Sequence, residues 1–269
     1  MSTPFYDELA PYYHLIYGDW EGAINRQGSA LSSLLSAAGV TQDDLVLDAA
    51  CGIGTQTLGL LKQGYRVNAS DVSAGAIARL KTELVSRGFQ SKAYVDDLRT
   101  LAHATAESMA AIIACDNSIP HLLSDDEILQ AFRSCYRCIR PGGVAVFSVR
   151  DYANIERKSP DVRPYELRYE GDMRFLPVQV WEWDGDHYEV RMYLISEAST
   201  GVCETKVLRS RCYAVSITRL MELMTEAGFI NLLRRDDVFF QPVLLGRRAY
   251  AAYRDRPQVA IQRSRKRMF

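Results

Sequence analysis

The short apolar run Leu45-Val-Leu47 leads without a break into Asp48-Ala-Ala-Cys-Gly-Ile-Gly54. A buried strand ending in small residues and two glycines, with a helix expected over Thr57–Gln63, is a strand, tight turn and helix in which backbone can approach a ligand. That unit commits the chain to a parallel sheet joined by crossover helices. The following residues repeat the alternation. Gly64 stops the helix, Tyr65–Ser70 reads as a strand, Ser73–Arg87 as a helix, and Ser91–Val95 and Met109–Cys115 as strands. Ser124-Asp-Asp-Glu127 is a capping box opening a helix that runs to Ile139 and is stopped by Arg140-Pro-Gly-Gly143, before a strand over Val144–Val149. Upstream, Ile24, Gln27, Leu31, Leu34 and Leu35 recur at helical spacing between Trp20 and Ala38.

After Asp151 the pattern changes to an antiparallel meander. Arg168–Phe175, Val178–Trp183, His187–Ser196 and Cys203–Ala214 read as strands, linked by turns such as Asp184-Gly-Asp186. A helix at Ser216–Ala227 and strands at Phe229–Arg235 and Pro242–Tyr250 complete the sheet. The expected organisation is an aromatic lid and helix at 1–38, an α/β domain at 39–254 with an antiparallel insertion at about 160–214, and a basic, solvated tail at 255–269.

A net charge of -1 gives no electrostatic reason to expect nucleic acid or an acidic membrane as partner. No stretch is long and apolar enough to span a bilayer and no export signal opens the chain, so a cytoplasmic location is expected. The six cysteines are dispersed. Cys135-Tyr-Arg-Cys138 falls inside a helix with no second pair or histidines to complete a metal site, so it reads as structural and no metal is expected.

The loop separates two ligand chemistries. A dinucleotide fold wants a third glycine for close helix packing, and here Thr55-Gln-Thr57 follows Gly54. Instead the loop starts with an acid, which suits S-adenosylmethionine (SAM), a ligand with an ammonium and a sulfonium but no phosphate. Asp48 is expected to support the ammonium directly or through water, while Ala50, Gly52 and Gly54 let backbone approach. Asp71, at the end of the next strand, is placed to accept from both ribose hydroxyls. In Asp96-Asp97-Leu98-Arg99, Asp97 is expected to take the adenine amine and Leu98 to pack on the ring. Cys115, ending its strand, joins the cofactor set.

These strand ends make the chain look like a class I SAM-dependent methyltransferase, with a Rossmann-like seven-stranded sheet and an antiparallel insertion in its second half. Within that superfamily, residues 6–152 resemble the glycine and sarcosine N-methyltransferases. The resemblance is carried by Tyr17-Gly-Asp19, Leu47-Asp-Ala-Ala-Cys-Gly-Ile-Gly54, Asp116-Asn-Ser-Ile-Pro-His121, Arg140-Pro-Gly-Gly143 and Arg150-Asp-Tyr152. Bacterial enzymes that N-methylate small heterocycles are similar as well. The resemblance implies that Arg26 pairs with the SAM carboxylate, that Tyr17 stands near the sulfonium and that Tyr6 meets the substrate. It also implies that Asn117 orients the acceptor through its side-chain carbonyl, that His121 supports the site, and that Arg150 takes a substrate carboxylate. After Asp151 the chain departs from the family, which leaves the acceptor open.

The expected chemistry is in-line transfer of a methyl group to a nitrogen of a small molecule, releasing S-adenosylhomocysteine (SAH), with proximity and orientation supplied by the protein. Small-molecule O-methylation, a nicotinamide-dependent oxidoreductase and a non-catalytic SAM-binding domain are the alternatives. The sequence leaves the oligomeric state open. The aromatic opening, Phe5 to Trp20, precedes the first strand and is free to fold over the ligand. There its rings can exclude water and face the sulfonium, with Tyr6 and Tyr17 toward the chemistry and Phe5 and Tyr13 as anchors.

Overall fold

The computed structural model describes residues 3–250, so the expected tail at 255–269 lies outside the described residues. The chain opens with helix α1 (Thr3–Leu9), a 3-10 turn at Tyr13–Ile16 and helix α2 (Trp20–Ala37). Then come β1 (Leu45–Asp48), α3 (Thr55–Lys62), β2 (Arg66–Asp71), α4 (Ala74–Ser86), β3 (Lys92–Val95), β4 (Met109–Ala114), α5 (Asp125–Cys138) and β5 (Ile139–Ser148). Strands β6 (Asp161–Pro164), β7 (Arg168–Glu170), β8 (Met173–Asp184), β9 (His187–Glu197) and β10 (Cys203–Tyr213) follow. The described chain closes with α6 (Ile217–Glu226), β11 (Ile230–Arg235) and β12 (Val243–Arg247).

The main sheet has the order β11-β12-β5-β4-β1-β2-β3, with β12 antiparallel to both its neighbours and the rest parallel. Every residue of β4 is buried, as expected of a central strand covered on both faces. The chain leaves β1 toward β2 and β3 and returns at β4 on β1's other side. Ligands settle over the carboxyl ends of the strands at such a reversal. The second sheet, β10-β9-β8-β6 with β7 also on β8, is antiparallel throughout.

Four local readings need correction. The strands expected at Arg168–Phe175 and Val178–Trp183 are instead a short β7 and one long β8, broken at Gly171-Asp172 and continuous through Pro177. Arg140-Pro-Gly-Gly143 does not end a helix in coil but lies within β5, which begins at Ile139 and pairs with Met109 of β4. The opening residues form a regular helix, α1, whose apolar side (Phe5, Leu9) packs on Met192, Leu194 and Leu208 of the second sheet. Strand β6 is an addition that its alternating, half-exposed residues did not announce. Cys135 and Cys138 are fully buried in α5, and burial pushes both thiols up, away from reactive thiolate.

Two close backbone approaches fix the geometry around the sheet's carboxyl edge. A Cβ on Gly28 of α2 would lie 2.6 Å from the backbone of Gly59 in α3, so both positions need glycine for these helices to touch. A Cβ on Gly75, at the start of α4, would lie 2.8 Å from the Asp7 carbonyl oxygen. There the Asp7 carboxylate accepts from Ser73 Oγ (2.6 Å) and from the Gly75 amide (2.8 Å), using amides left free at a helix start. Helix α1 is thus tied to α4 on one side and to the second sheet on the other.

Candidate active site

The glycine loop after β1 turns through Gly52 (φ +51°) and Gly54 (φ +97°), conformations that L side chains resist. Asp71 ends β2 beside it, one carboxylate oxygen accepting from the Gly52 amide and the other from the Ser73 amide, each at 2.9 Å. Loop and strand end are thereby held together, and Ala50, Gly52, Asp71 and Cys115 line one narrow groove. Tyr13 lies over it, with a ring carbon 3.5 Å from where a Gly52 Cβ would be.

Beside the groove opens a cavity of 510 Å³, within the range of about 300–1,000 Å³ usual for small-molecule sites. Its walls come from α1 and the aromatic segment, from the ends of β4 and β5, from the second sheet and from the 238–241 loop. Trp181 and Tyr188 stack there, ring centres 4.5 Å apart, and the Arg150 guanidinium lies 5.3 Å from the Trp181 ring centre. Among the described residues no carboxylate lies within ion-pair distance of Arg150. Burial works against its charge, and the surrounding hydroxyls of Tyr152, Tyr188 and Tyr165 favour it.

Among the described residues five side chains line both spaces: Tyr6, Tyr13, Tyr17, Asp116 and His121. Tyr6 Oη and His121 Nε2 are 2.6 Å apart. Burial pushes the Tyr6 hydroxyl well up and drives the His121 imidazole down to about 4, so the pair is neutral near neutral pH. Tyr17 donates to Asp116 Oδ2 at 2.7 Å, and Gln56 Nε2 donates to the same oxygen at 3.0 Å and to Gln27 Oε1 at 2.6 Å. Tight contact at Gly28 and Gly59 brings Gln27 and Gln56 together. Asp116 (φ +55°) and Asn117 (φ +66°) are consecutive left-handed residues, anchored by the Ser148 hydroxyl and carbonyl. Strain of that kind gathers at functional sites.

The structure brings Tyr6, Tyr17, Ala50, Gly52, Asp71, Cys115, Asn117, His121 and Arg150 to these walls and leaves five of the expected residues off the groove. Asp48 is fully buried, accepting from Thr57 Oγ1 at 2.6 Å, and burial raises its carboxyl to about 7. Gly54 faces Leu80, whose side chain would be 2.3 Å from an added Cβ. Asp97 is gripped by Arg99, which also reaches Glu127, and Leu98 is in the core under the sheet. Arg26 stands largely exposed on the cavity rim, 3.9 Å from Asp19. Asn117 is on the cavity wall, yet its carbonyl accepts from the Arg150 amide and its NH₂ donates to Tyr152. The sequence reading missed Asp116, Gln27, Gln56, Trp181 and Tyr188. Only Asp116 carried a signal, as the acid opening Asp116-Asn-Ser-Ile-Pro-His121 at a strand end.

Glycine approach, a β2-end acid and a collar of aromatic rings suit a cationic, phosphate-free cofactor. The family comparison agrees. Residues 46–143 match the family described as "Methyltransferase domain". The glycine/sarcosine N-methyltransferase of Halorhodospira halochloris is 28% identical over 51% of this chain and 50% of its own length. The cypemycin N-terminal methyltransferase of Streptomyces sp is 28% identical over 74% of this chain and 78% of its own. The chain spans about half the length of the first curated relatives it matches. In fold it is similar to the SAM-bound amino pentose methyltransferase CalS10 of Micromonospora echinaspora, with a TM-score of 0.70, 14% identity, and coverage of 84% of this chain and 92% of that one. Residues 46–143 thus match a methyltransferase domain, and the sheet order gives the chain the fold of SAM-bound methyltransferases of known structure.

Proposed function

We propose that the protein transfers a methyl group from SAM to a nitrogen of a small molecule. The observation that carries this reading is the collar of Tyr6, Tyr13, Tyr17, Asp116 and His121, shared by the cofactor groove and a 510 Å³ cavity walled by aromatic side chains. SAM supplies an activated methyl on a sulfonium, open to in-line displacement.

The collar holds donor and acceptor within reach of each other and keeps water out, which is where the rate enhancement of such a reaction originates. Tyr17, fixed by Asp116 and by a 3.3 Å contact with Thr55, presents its ring beside the groove. Neutral Tyr6 and His121 offer hydrogen bonds without competing for the methyl group as charged nucleophiles. Arg150 is proposed to bind an anionic group of the acceptor, since its buried cation has no carboxylate partner among the described residues. Asn117 holds the Arg150 backbone and sets the cavity wall through Tyr152 and Tyr188. Relatives named as glycine/sarcosine N-methyltransferases and as a cypemycin N-terminal methyltransferase support nitrogen as the acceptor atom.

The test is incubation with methyl-labelled SAM against glycine, sarcosine, larger amines, nitrogen heterocycles and alcohols. Label in an amine or heterocycle supports the reading. SAH binding without transfer to any of them, or transfer only to hydroxyl oxygen, rejects it.

A further inference from the structure

Asp116 is placed differently from the other acids near the cofactor groove. Both oxygens of Asp71 are engaged by backbone amides, and Asp48 lies off both cavity walls. Asp116 has one oxygen, Oδ2, held by Tyr17 and Gln56, while Oδ1 is buried with no hydrogen-bond partner among the described residues. It is the one carboxylate among the described residues that lines both the groove and the acceptor cavity. Its backbone is kept in a left-handed conformation by Ser148, so the orientation of the carboxylate is fixed before any ligand arrives. A buried carboxylate oxygen without a donor carries a desolvation cost that a cationic N–H donor removes.

We propose that Asp116 is a catalytic residue that binds the acceptor as an ammonium and takes its proton, so that the substrate is a basic amine and not a neutral heterocycle or an alcohol. This rests on the methyltransferase reading above and names its substrate class. The acceptor N–H donates to Oδ1, and the N–H bond breaks as the proton moves to that oxygen. The lone pair left on nitrogen then forms the bond to the methyl carbon, while the electrons of the carbon–sulfur bond stay on sulfur. The product leaves as a methylated ammonium, and Asp116 returns its proton to water. Burial raises the Asp116 carboxyl against the hydrogen bonds from Tyr17 and Gln56 and the nearby Arg150 cation, which brings it toward the basicity such a proton acceptor needs. Tyr17 and Gln56 keep Oδ2 occupied, leaving Oδ1 for the acceptor.

Acceptor pairs that differ only in amino against hydroxyl, benzylamine with benzyl alcohol and glycine with glycolate, test this with labelled SAM. Label is expected in the amino member alone. Asp116→Asn is expected to lower kcat/KM for that amine by at least about 100-fold while calorimetric affinity for SAH is unchanged. Asp116→Glu, which keeps the charge, is expected to retain part of the rate. Transfer to the hydroxyl member, or an Asn variant as active as wild type, overturns the proposal and leaves methyl transfer standing. A loss of SAH affinity of about tenfold or more in Asp116→Asn also overturns it, because SAH keeps the methionine ammonium and the residue then serves the cofactor. Label found only in a nitrogen heterocycle overturns this proposal and keeps the parent reading, whereas a wild-type protein that binds SAH and methylates nothing in the wider panel above sinks both.

Discussion

Tyr6 Oη and His121 Nε2 lie 2.6 Å apart across the collar, joining the first helix of the chain to the turn after β4. The rings meet edge to face at 5.1 Å, and His121 Nδ1 has Ser210 Oγ at 3.3 Å on its other side. Replacing Tyr6 by Phe keeps the ring and its packing and removes the hydroxyl. The expected cost is about 1 kcal/mol of stability from the lost hydrogen bond, against at least about a tenfold loss of turnover. Thermal melts and labelled-SAM turnover on the same preparations check it. A large fall in melting temperature with unchanged turnover per folded molecule would make Tyr6 an anchor.

The same histidine makes a pH prediction. Burial takes His121 from an ordinary 6.5 to about 4 in the folded protein. Above pH 6.5 it is neutral in both states. Between 6.5 and 4 the unfolded chain takes up a proton that the folded one refuses, so stability falls as the pH drops, by about 3 kcal/mol in all. Asp48, raised from 3.8 to about 7 by burial, works the opposite way, because the folded state holds its proton over much of that range. The two oppose each other in wild type. His121→Asn removes one, so the stability gap to wild type should shrink by about 2–3 kcal/mol between pH 7 and 4.5 in urea titrations. A gap independent of pH would mean that His121 titrates normally.

Asn117→Ala is expected to damage fold and activity together. The change leaves the Arg150 amide without its partner, takes one of two hydrogen bonds from the Tyr152 hydroxyl and puts alanine at φ +66°. A loss of about 2–4 kcal/mol follows from the lost hydrogen bonds and the backbone. Asn117→Asp keeps an oxygen acceptor and tolerance of the left-handed region, and should recover part of it. Comparing denaturation midpoints of the two variants is the check. Native stability with turnover abolished would assign Asn117 a direct role at the acceptor.

What could be read from the residues follows the range of each interaction. Leu45–Gly54, the alternating strands and helices, and the capping box at Ser124 are local patterns, and the structure forms each of them. The strand ends pointed to the right edge of the sheet but not to every residue on it. Asp97 had a guanidinium two residues away, and that pairing took it from the groove. Asp48 had Thr57 one helical turn into α3. Gln27, Gln56 and Asp116 come from three separate elements, united by a contact between Gly28 and Gly59 that no periodicity encodes. The Trp181–Tyr188 wall depends on the register of two insertion strands, Trp183 opposite Tyr188, which alternation alone does not set.

Asp7 is the latch of the aromatic segment. It binds Ser73 Oγ and the Gly75 amide at the start of α4, two residues beyond Asp71, while Tyr13 on the same segment covers Gly52. A ligand in the groove would lie under the Tyr13 ring, which the latch helps to hold in place. Asp7→Ala removes both bonds without touching the groove, and Ser73 can still cap α4 through its 3.0 Å bond from the Ala76 amide. The variant is expected to lose about 1–2 kcal/mol of stability and to be cut faster by protease near its N-terminus. SAH should slow that cleavage in both proteins, and it should dissociate faster from the variant, because the segment that closes over it is less firmly held. Limited proteolysis with and without SAH, together with stopped-flow release, measures both. If cleavage near the N-terminus is the same in all four samples, the segment does not move with the cofactor and Asp7 only caps a helix.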